Sequence, residues 1–164
     1  MRELLIVAVS DNHGARRPVQ WLQETYQNAD YFLHLGDSEG PMRWLNGYAC
    51  VRGNNDYDPA YPEHRVLKIG EHRVLLTHGH RELYRGGMEG LIYQAGKEQC
   101  DIVFYGHTHI YSCVHEKNIW LLNPGSIRRN RDGSNPSYML VRLNGPDVSV
   151  SHMEVSCRTK RNFA

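Results

Sequence analysis

Leu4-Leu5-Ile6-Val7-Ala8-Val9-Ser10-Asp11-Asn12-His13-Gly14 sets the pattern on which the rest of the chain is read. Six apolar residues without polar alternation fit a strand covered on both faces. The run then breaks into a Gly-containing turn that carries a carboxylate and an imidazole. The same pattern recurs. Tyr31–Leu35 runs into Gly36-Asp37-Ser38, and Tyr48–Val51 into Arg52-Gly53-Asn54-Asn55-Asp56. Arg73–Thr77 runs into His78-Gly79-His80, Ile102–Tyr105 into Gly106-His107-Thr108-His109, and Ile119–Leu122 into Asn123-Pro124-Gly125-Ser126. Two helices are predicted between these runs. One takes Pro18 at its first position with Val19, Leu22, Tyr26 and Ala29 on one stripe. The other carries Met88, Leu91, Ile92 and Ala95 and ends near Cys100. After residue 109 the pattern reads as consecutive strands, Tyr111–His115, Asn118–Leu122, Tyr138–Leu143 and Val148–Val155, joined by turns. A βα-like front and an antiparallel back predict an α/β domain with two packed sheets and helices outside.

The chain has 164 residues, one domain by its length. We read 1–164 as a single unit whose last stretch, 156–164, is a frayed tail. Such a chain buries roughly 68–70% of its extended surface, so it needs no staple to hold a core. Lys+Arg of 19 against Asp+Glu of 18 gives a net charge of +1, which removes the global basic field of a general nucleic-acid binder. No apolar run approaches the ~18 residues of a membrane span. Arg2 and Glu3 ahead of Leu4–Val9, with no small-residue cleavage site behind, do not make a signal peptide. Cys50, Cys100, Cys113 and Cys157 form no Cys-x-x-Cys; they read as reduced core or near-core thiols of a cytoplasmic protein. The unusual number is 10 histidines, a surplus that suits metal chemistry at neutral pH.

In open α/β sheets, ligands bind beyond the carboxyl ends of the strands. The strand ends here deliver Asp11, His13, Asp37, Asn54, His78, His107 and His109. Two first-row divalent ions that share a carboxylate need about this set. The shared group must be a carboxylate, because only it offers one oxygen to each ion while cancelling charge. Asp37, alone after its glycine, is the natural bridge. Asp11 and His13 are expected to alternate along an extended stretch and so to point the same way, and His107 and His109 likewise. Two ions roughly 3.5–4 Å apart lower the pKa of a bridging water and clamp both sides of an in-line displacement at phosphorus. Nitrogen and oxygen donors without thiolate suit Mn, Fe, Zn, Co or Ni, with Mn placed first.

Asp-x-His, Gly-Asp, Gly-Asn, His-Gly-His and Gly-His-x-His in this order resemble the calcineurin-like metallophosphoesterase superfamily. The short chain, Gly53-Asn54-Asn55-Asp56, Thr77-His78-Gly79-His80 and Asn123-Pro124-Gly125-Ser126 resemble its small YfcE-like phosphodiesterase branch. The resemblance runs from Leu4 to about Leu143. It implies a four-layer αββα sandwich of two mixed sheets flanked by helices, and a dinuclear metal site. By position, one ion takes Asp11, His13, Asp37 and His109, and the other takes Asp37, Asn54, His78 and His107. A hydroxide bridging the ions would attack a phosphate-ester substrate. Many superfamily members carry a His after the Asn to assist the leaving group; here that position is Asn55. Asn cannot protonate an alkoxide, though its amide can donate to a phosphoryl oxygen. His80 is the next candidate for substrate or leaving-group contact. The retromer scaffold subunit resembles the same branch, so the alternative to an enzyme is an interaction scaffold on this fold. The resemblance also allows a homo-oligomer.

Taken alone, each turn has an ordinary explanation. Asp11-Asn12-His13 has the composition of a helix N-cap. Gly53-Asn54-Asn55-Asp56 suits a tight turn. His34, inside an apolar run, reads as a buried hydrogen-bonded imidazole, while His64, His72, His115 and His152 read as surface or strand-face residues. Arg128-Arg129-Asn130-Arg131 reads as a solvated loop, with phosphate binding by its guanidinium groups as the rival reading.

Overall fold

The absence of alternation in β1 (Leu4–Val9) has a direct cause: both of its faces are covered. In the computed structural model, which describes residues 2–163, Ile6 and Ala8 face a core shared with Val74, Leu76, Ile102, Phe104 and Leu122. Leu5, Val7 and Val9 face the opposite way, against Val19 and Leu22 of helix α1 (Arg16–Thr25). The period of two therefore sorts one apolar run between two cores.

The element order continues with β2 (Tyr31–His34), a 3-10 turn at Met42–Leu45, β3 (Tyr48–Cys50), β4 (His64–Ile69), β5 (His72–Thr77), α2 (His80–Lys97), β6 (Ile102–Phe104), β7 (Tyr111–Glu116), β8 (Ile119–Pro124), β9 (Ser137–Asn144), β10 (Asp147–Glu154) and α3 (Cys157–Arg161). One five-stranded sheet has the order β10-β9-β1-β2-β3, the other β4-β5-β6-β8-β7. On the outer face of the second sheet, Leu75, Val103 and Leu121 pack against Leu91 and Ala95 of α2. The layers are thus helix, sheet, sheet, helix, and the four-layer mixed α/β sandwich is the fold.

The parallel pairs β1–β2–β3 and β5–β6–β8 carry the expected strand-and-turn pattern. The back half departs from a run of neighbours. β7–β8 is a hairpin of the second sheet and β9–β10 a hairpin of the first, so the chain changes sheets after Pro124. β4 does not show in the apolar pattern, because it is an edge strand bearing His64, Arg65 and Lys68. Helix α1 begins at Arg16 with Ala15 as its N-cap, so Pro18 sits two residues inside, and no Asp11 or Asn12 side chain caps it. Helix α2 begins earlier than its apolar stripe. Its first turns are polar and end at Gly86-Gly87, where Gly87 adopts φ 60° and ψ −139°, a break that a residue with a Cβ resists. The tail is not frayed throughout: the Ser156 side chain accepts from Thr159 N and starts α3. Cys50 and Cys100 are buried, but Cys113 and Cys157 are exposed, against the near-core expectation. His72 is also a correction. It is buried, with Nδ1 2.7 Å from Asp101 Oδ2 and Nε2 3.1 Å from Gly145 O.

Candidate metal centre

The parallel strands of both sheets end on one side of the sandwich, and their turns are laced together by backbone bonds. Asp11 N donates to Gly36 O at 3.0 Å and His13 N to Asp37 O at 3.0 Å. Gly106 N donates to His78 O at 3.0 Å, and Ile127 N reaches Ser10 O at 3.2 Å. Two glycines permit the close approach. A Cβ on Gly53 would overlap Asp37 Oδ1, and one on Gly106 would lie 2.7 Å from Asp11 Oδ2.

All seven expected side chains are brought together. Around Asp11 Oδ1 lie His109 Nε2 at 3.3 Å, His13 Nε2 at 3.8 Å and His78 Nε2 at 3.9 Å. Asp37 Oδ2 stands 3.8 Å from His13 Nε2 and 3.5 Å from His78 Nε2. Asn54 Oδ1 lies 3.0 Å from His78 Nε2 and 3.1 Å from His107 Nδ1. Two groups of donors emerge, Asp11 with His13 and His109, and Asp11 with Asp37 and His78. Asn54 and His107 adjoin the second through His78. Asp11 therefore belongs to both groups, while Asp37 belongs to the second and faces the first across 3.8 Å to His13 Nε2.

The route to this convergence is not the expected one. Asp11, His13, Asp37, His107 and His109 have φ of 56°, 41°, 56°, 71° and 56°. They are left-handed turn residues, not alternating positions of an extended stretch. Each such conformation costs of order 1–3 kcal/mol for a residue with a Cβ, and clusters of them mark functional sites. Local turn geometry is set here by tertiary bonds between loops, which no spacing rule encodes.

The imidazoles are oriented from behind. His78 Nδ1–H donates to Leu35 O at 2.6 Å, His109 Nδ1–H to Arg129 O at 3.1 Å, and His13 Nδ1–H to Glu39 Oε1 at 2.7 Å. Such bonds fix the tautomer and leave Nε2 as a lone pair facing the centre. His13 Nε2 and His109 Nε2 then face each other at 2.9 Å. Asp11 Oδ1 is buried without any hydrogen-bond partner. Converging ring nitrogens and an orphaned carboxylate oxygen are what a cation relieves, so the residues present fit divalent metal ions.

Electrostatics agree. Burial alone would push Asp11 and Asp37 up. The facing imidazoles, with Ser10 at Asp11 and Asn55 at Asp37, outweigh it and hold both carboxyls below their usual range. Burial would lower His78, but Asp37 and Asp11 reverse this and raise it. Burial first, then His78, lowers His80 and His107. His34 is the buried imidazole expected. Nε2–H donates to Asn12 Oδ1 at 2.8 Å, Nδ1 accepts from Gly36 N at 3.2 Å, and burial pushes it down to about 4.

Asn55 sits under Asp37. Its backbone N donates to Oδ1 at 2.9 Å and its Nδ2 to Oδ2 at 2.8 Å. The His80 ring lies 5.4 Å from that of His78 and 6.1 Å from that of His107, and its Nδ1 is buried without a partner. Three supports stand in turns marked in the sequence, but what each one binds is not visible there. Asp56 accepts from Asp37 N at 2.9 Å, Gly53 N at 2.7 Å and Glu39 N at 2.8 Å. Asn123 Nδ2 donates to Gly106 O and Thr108 Oγ1, both at 3.0 Å. Ser126 Oγ donates to Asp11 O at 2.8 Å. Asp56 adjoins the Asn54-Asn55 turn, but only its buried position reveals the role.

The profile of the calcineurin-like phosphoesterase superfamily domain matches residues 4–145. The "Probable metallophosphoesterase YsnB" of Bacillus subtilis (strain 168) is 30% identical over 148 residues, 88% of each chain. A conserved Streptococcus pneumoniae TIGR4 protein, described as a predicted phosphoesterase, superposes with a TM-score of 0.88 at 32% identity over 94% of this chain and 91% of that one. Vps29 of Entamoeba histolytica, solved with Zn2+, shares the fold with a TM-score of 0.72 at 24% identity, over 92% of this chain and 99% of that one. Among the described residues, no helix is long and apolar enough to cross a membrane.

Proposed function

The chain belongs to the calcineurin-like phosphoesterase superfamily, and from that premise we propose that it is a divalent-metal-dependent phosphodiesterase. The observation that carries the proposal is the facing pair of His13 and His109 Nε2 atoms, 2.9 Å apart, beside the orphaned Asp11 Oδ1. In the proposed assignment, Asp11, His13, Asp37 and His109 hold one ion, and Asp37, Asn54, His78 and His107 hold a second. Manganese is the first candidate, then Zn, Fe, Co or Ni. Bound there, a metal pair supplies a water of lowered pKa and neutralises charge on the phosphoryl oxygens.

The chain's own part is orientation and proton handling. The Glu39 carboxylate behind His13 and the backbone carbonyls behind His78 and His109 keep their Nε2 atoms aimed inward. Asn55 holds the Asp37 carboxylate through two bonds. His80 is proposed to contact the leaving group from the rim. Hydrolysis forms one P–O bond from water and breaks the P–O bond to the leaving alcohol, which must end with a proton. Asn55 cannot supply it, and general acid help is worth ~10²–10⁴-fold. Activated aryl diesters are therefore expected to turn over faster than alkyl monoesters; comparable rates contradict this. The four free thiols support a cytoplasmic location for the reaction.

The shared Vps29 fold makes an interaction scaffold the second reading. The intact set of four imidazoles and two carboxylates favours catalysis. The test is metal-stimulated hydrolysis of a chromogenic aryl diester by the wild type and by Asp37→Ala. Loss of activity in the variant supports the assignment, and retained activity contradicts it. Metal uptake without hydrolysis of any ester favours the scaffold.

A further inference from the structure

The Arg128-Arg129-Asn130-Arg131 loop is neither loose nor remote. Arg128 Nη1 donates to His13 O, Arg131 N donates to His109 O at 2.9 Å, and Arg129 O receives His109 Nδ1–H at 3.1 Å. The loop is thus fastened to the backbone or ring of two candidate metal ligands. It is also fastened to itself. Ser126 Oγ accepts from Arg128 N at 3.1 Å and Arg129 N at 3.0 Å. The buried Asn130 accepts from Ser126 N at 2.7 Å and donates to Asn135 O at 2.7 Å and to Ser137 Oγ at 3.0 Å. A solvated charge run has no such cage.

Three guanidinium groups remain exposed on this rigid base. Among the described residues, none of them pairs with a carboxylate. Asp132, the carboxylate within the loop, is turned to Ser134 N at 3.0 Å and Ser134 Oγ at 2.6 Å. Arg128, Arg129 and Arg131 share a cavity of about 440 Å³ with His13, His109 and Ser126. A second cavity of about 370 Å³, lined by the same arginines and Lys160, continues it away from the centre. Three arginines within four residues make a local positive patch on a chain whose net charge is +1.

We propose that the Arg128–Arg131 loop is a subsite for a second phosphate of the substrate. The substrate class is then a small phosphoester that carries a further phosphate or diphosphate group. The proposal rests on the hydrolytic reading above and adds to it what the open site selects. Arginines free of carboxylate partners on a loop whose backbone is caged suit planar, two-bond recognition of phosphate.

The test has two arms. The first measures equilibrium binding of inorganic tripolyphosphate and of orthophosphate to the metal-loaded protein. Tripolyphosphate is expected to bind at least tenfold more tightly, a preference that falls with salt and collapses in Arg129→Ala/Arg131→Ala. Arg131→Lys, which keeps charge without the planar fork, is expected to recover part of it. The second compares kcat/KM for an aryl diester with that for the same ester bearing a second phosphate. The double variant is expected to lose roughly tenfold more on the second probe than on the first. No preference in the wild type, or equal losses on both probes, overturns the subsite. A preserved preference without hydrolysis of any ester supports the subsite and contradicts the hydrolytic reading.

Discussion

Asp56→Ala tests how the centre is supported. Asp56 is 3% exposed and accepts three backbone N–H groups, from Asp37, Gly53 and Glu39, at 2.9, 2.7 and 2.8 Å. It is the clasp between the turn that carries Asp37 and the turn that carries Asn54. Each buried N–H left without a partner costs roughly 1–3 kcal/mol. Water entering the vacated space recovers part of this, so the expected total is about 3–5 kcal/mol, at the top of the range for single substitutions. For a chain of this size that lowers Tm by roughly 6–20 °C. The two turns are then free to separate, and metal affinity should fall ~10–100-fold, as it does when groups behind a ligand are lost. Asp56→Asn should fall between, since one acceptor oxygen survives while its NH2 faces a backbone N–H. Thermal unfolding and calorimetric titration with Mn2+ read both quantities. A variant with unchanged Tm and unchanged metal affinity would refute the clasp.

His34 is buried neutral, with a pKa near 4 against the ordinary 6.5, so the unfolded state binds the extra proton between these values. Stability is complete above pH 6.5 and is lost as pH falls toward 4, at up to about 1.4 kcal/mol per pH unit. Denaturant midpoints for the wild type and His34→Gln across that window should show a smaller slope in the variant; identical slopes would contradict the assignment. Gly53→Ala should drive the Asp37 and Asn54 turns apart, costing about 1–3 kcal/mol and weakening metal uptake, as read by calorimetry. Phe104→Ala, between the two sheets, should cost about 3–5 kcal/mol in denaturant unfolding while leaving the donors' positions intact by crystallography.

Much of this architecture can be read from the chain because β1, β2, β3, β5 and β6 are largely apolar and end in marked turns. Those signals are local, and they name all seven converging side chains. What stays hidden is tertiary. The polar edge strand β4 has no apolar run to announce it. The first turns of α2 lack a stripe and are cut by Gly86-Gly87. The left-handed turns at Asp11 and His107 exist because distant loops bind them: His107 N, 96 residues away in sequence, donates to Asp11 Oδ2 at 3.1 Å. The supports behave alike. Asp56 acts across 19 residues on Asp37, and Ser126 across 115 on Asp11, so neither role has a sequence spacing to read.

The central claim is that Asp11, His13, Asp37, Asn54, His78, His107 and His109 hold a pair of cations. Anomalous diffraction from crystals grown with Mn2+ measures this directly. The account predicts two peaks among these side chains, roughly 3.5–4 Å apart, with Asp37 touching both. A single peak, a pair held by other residues, or no peak at all contradicts it.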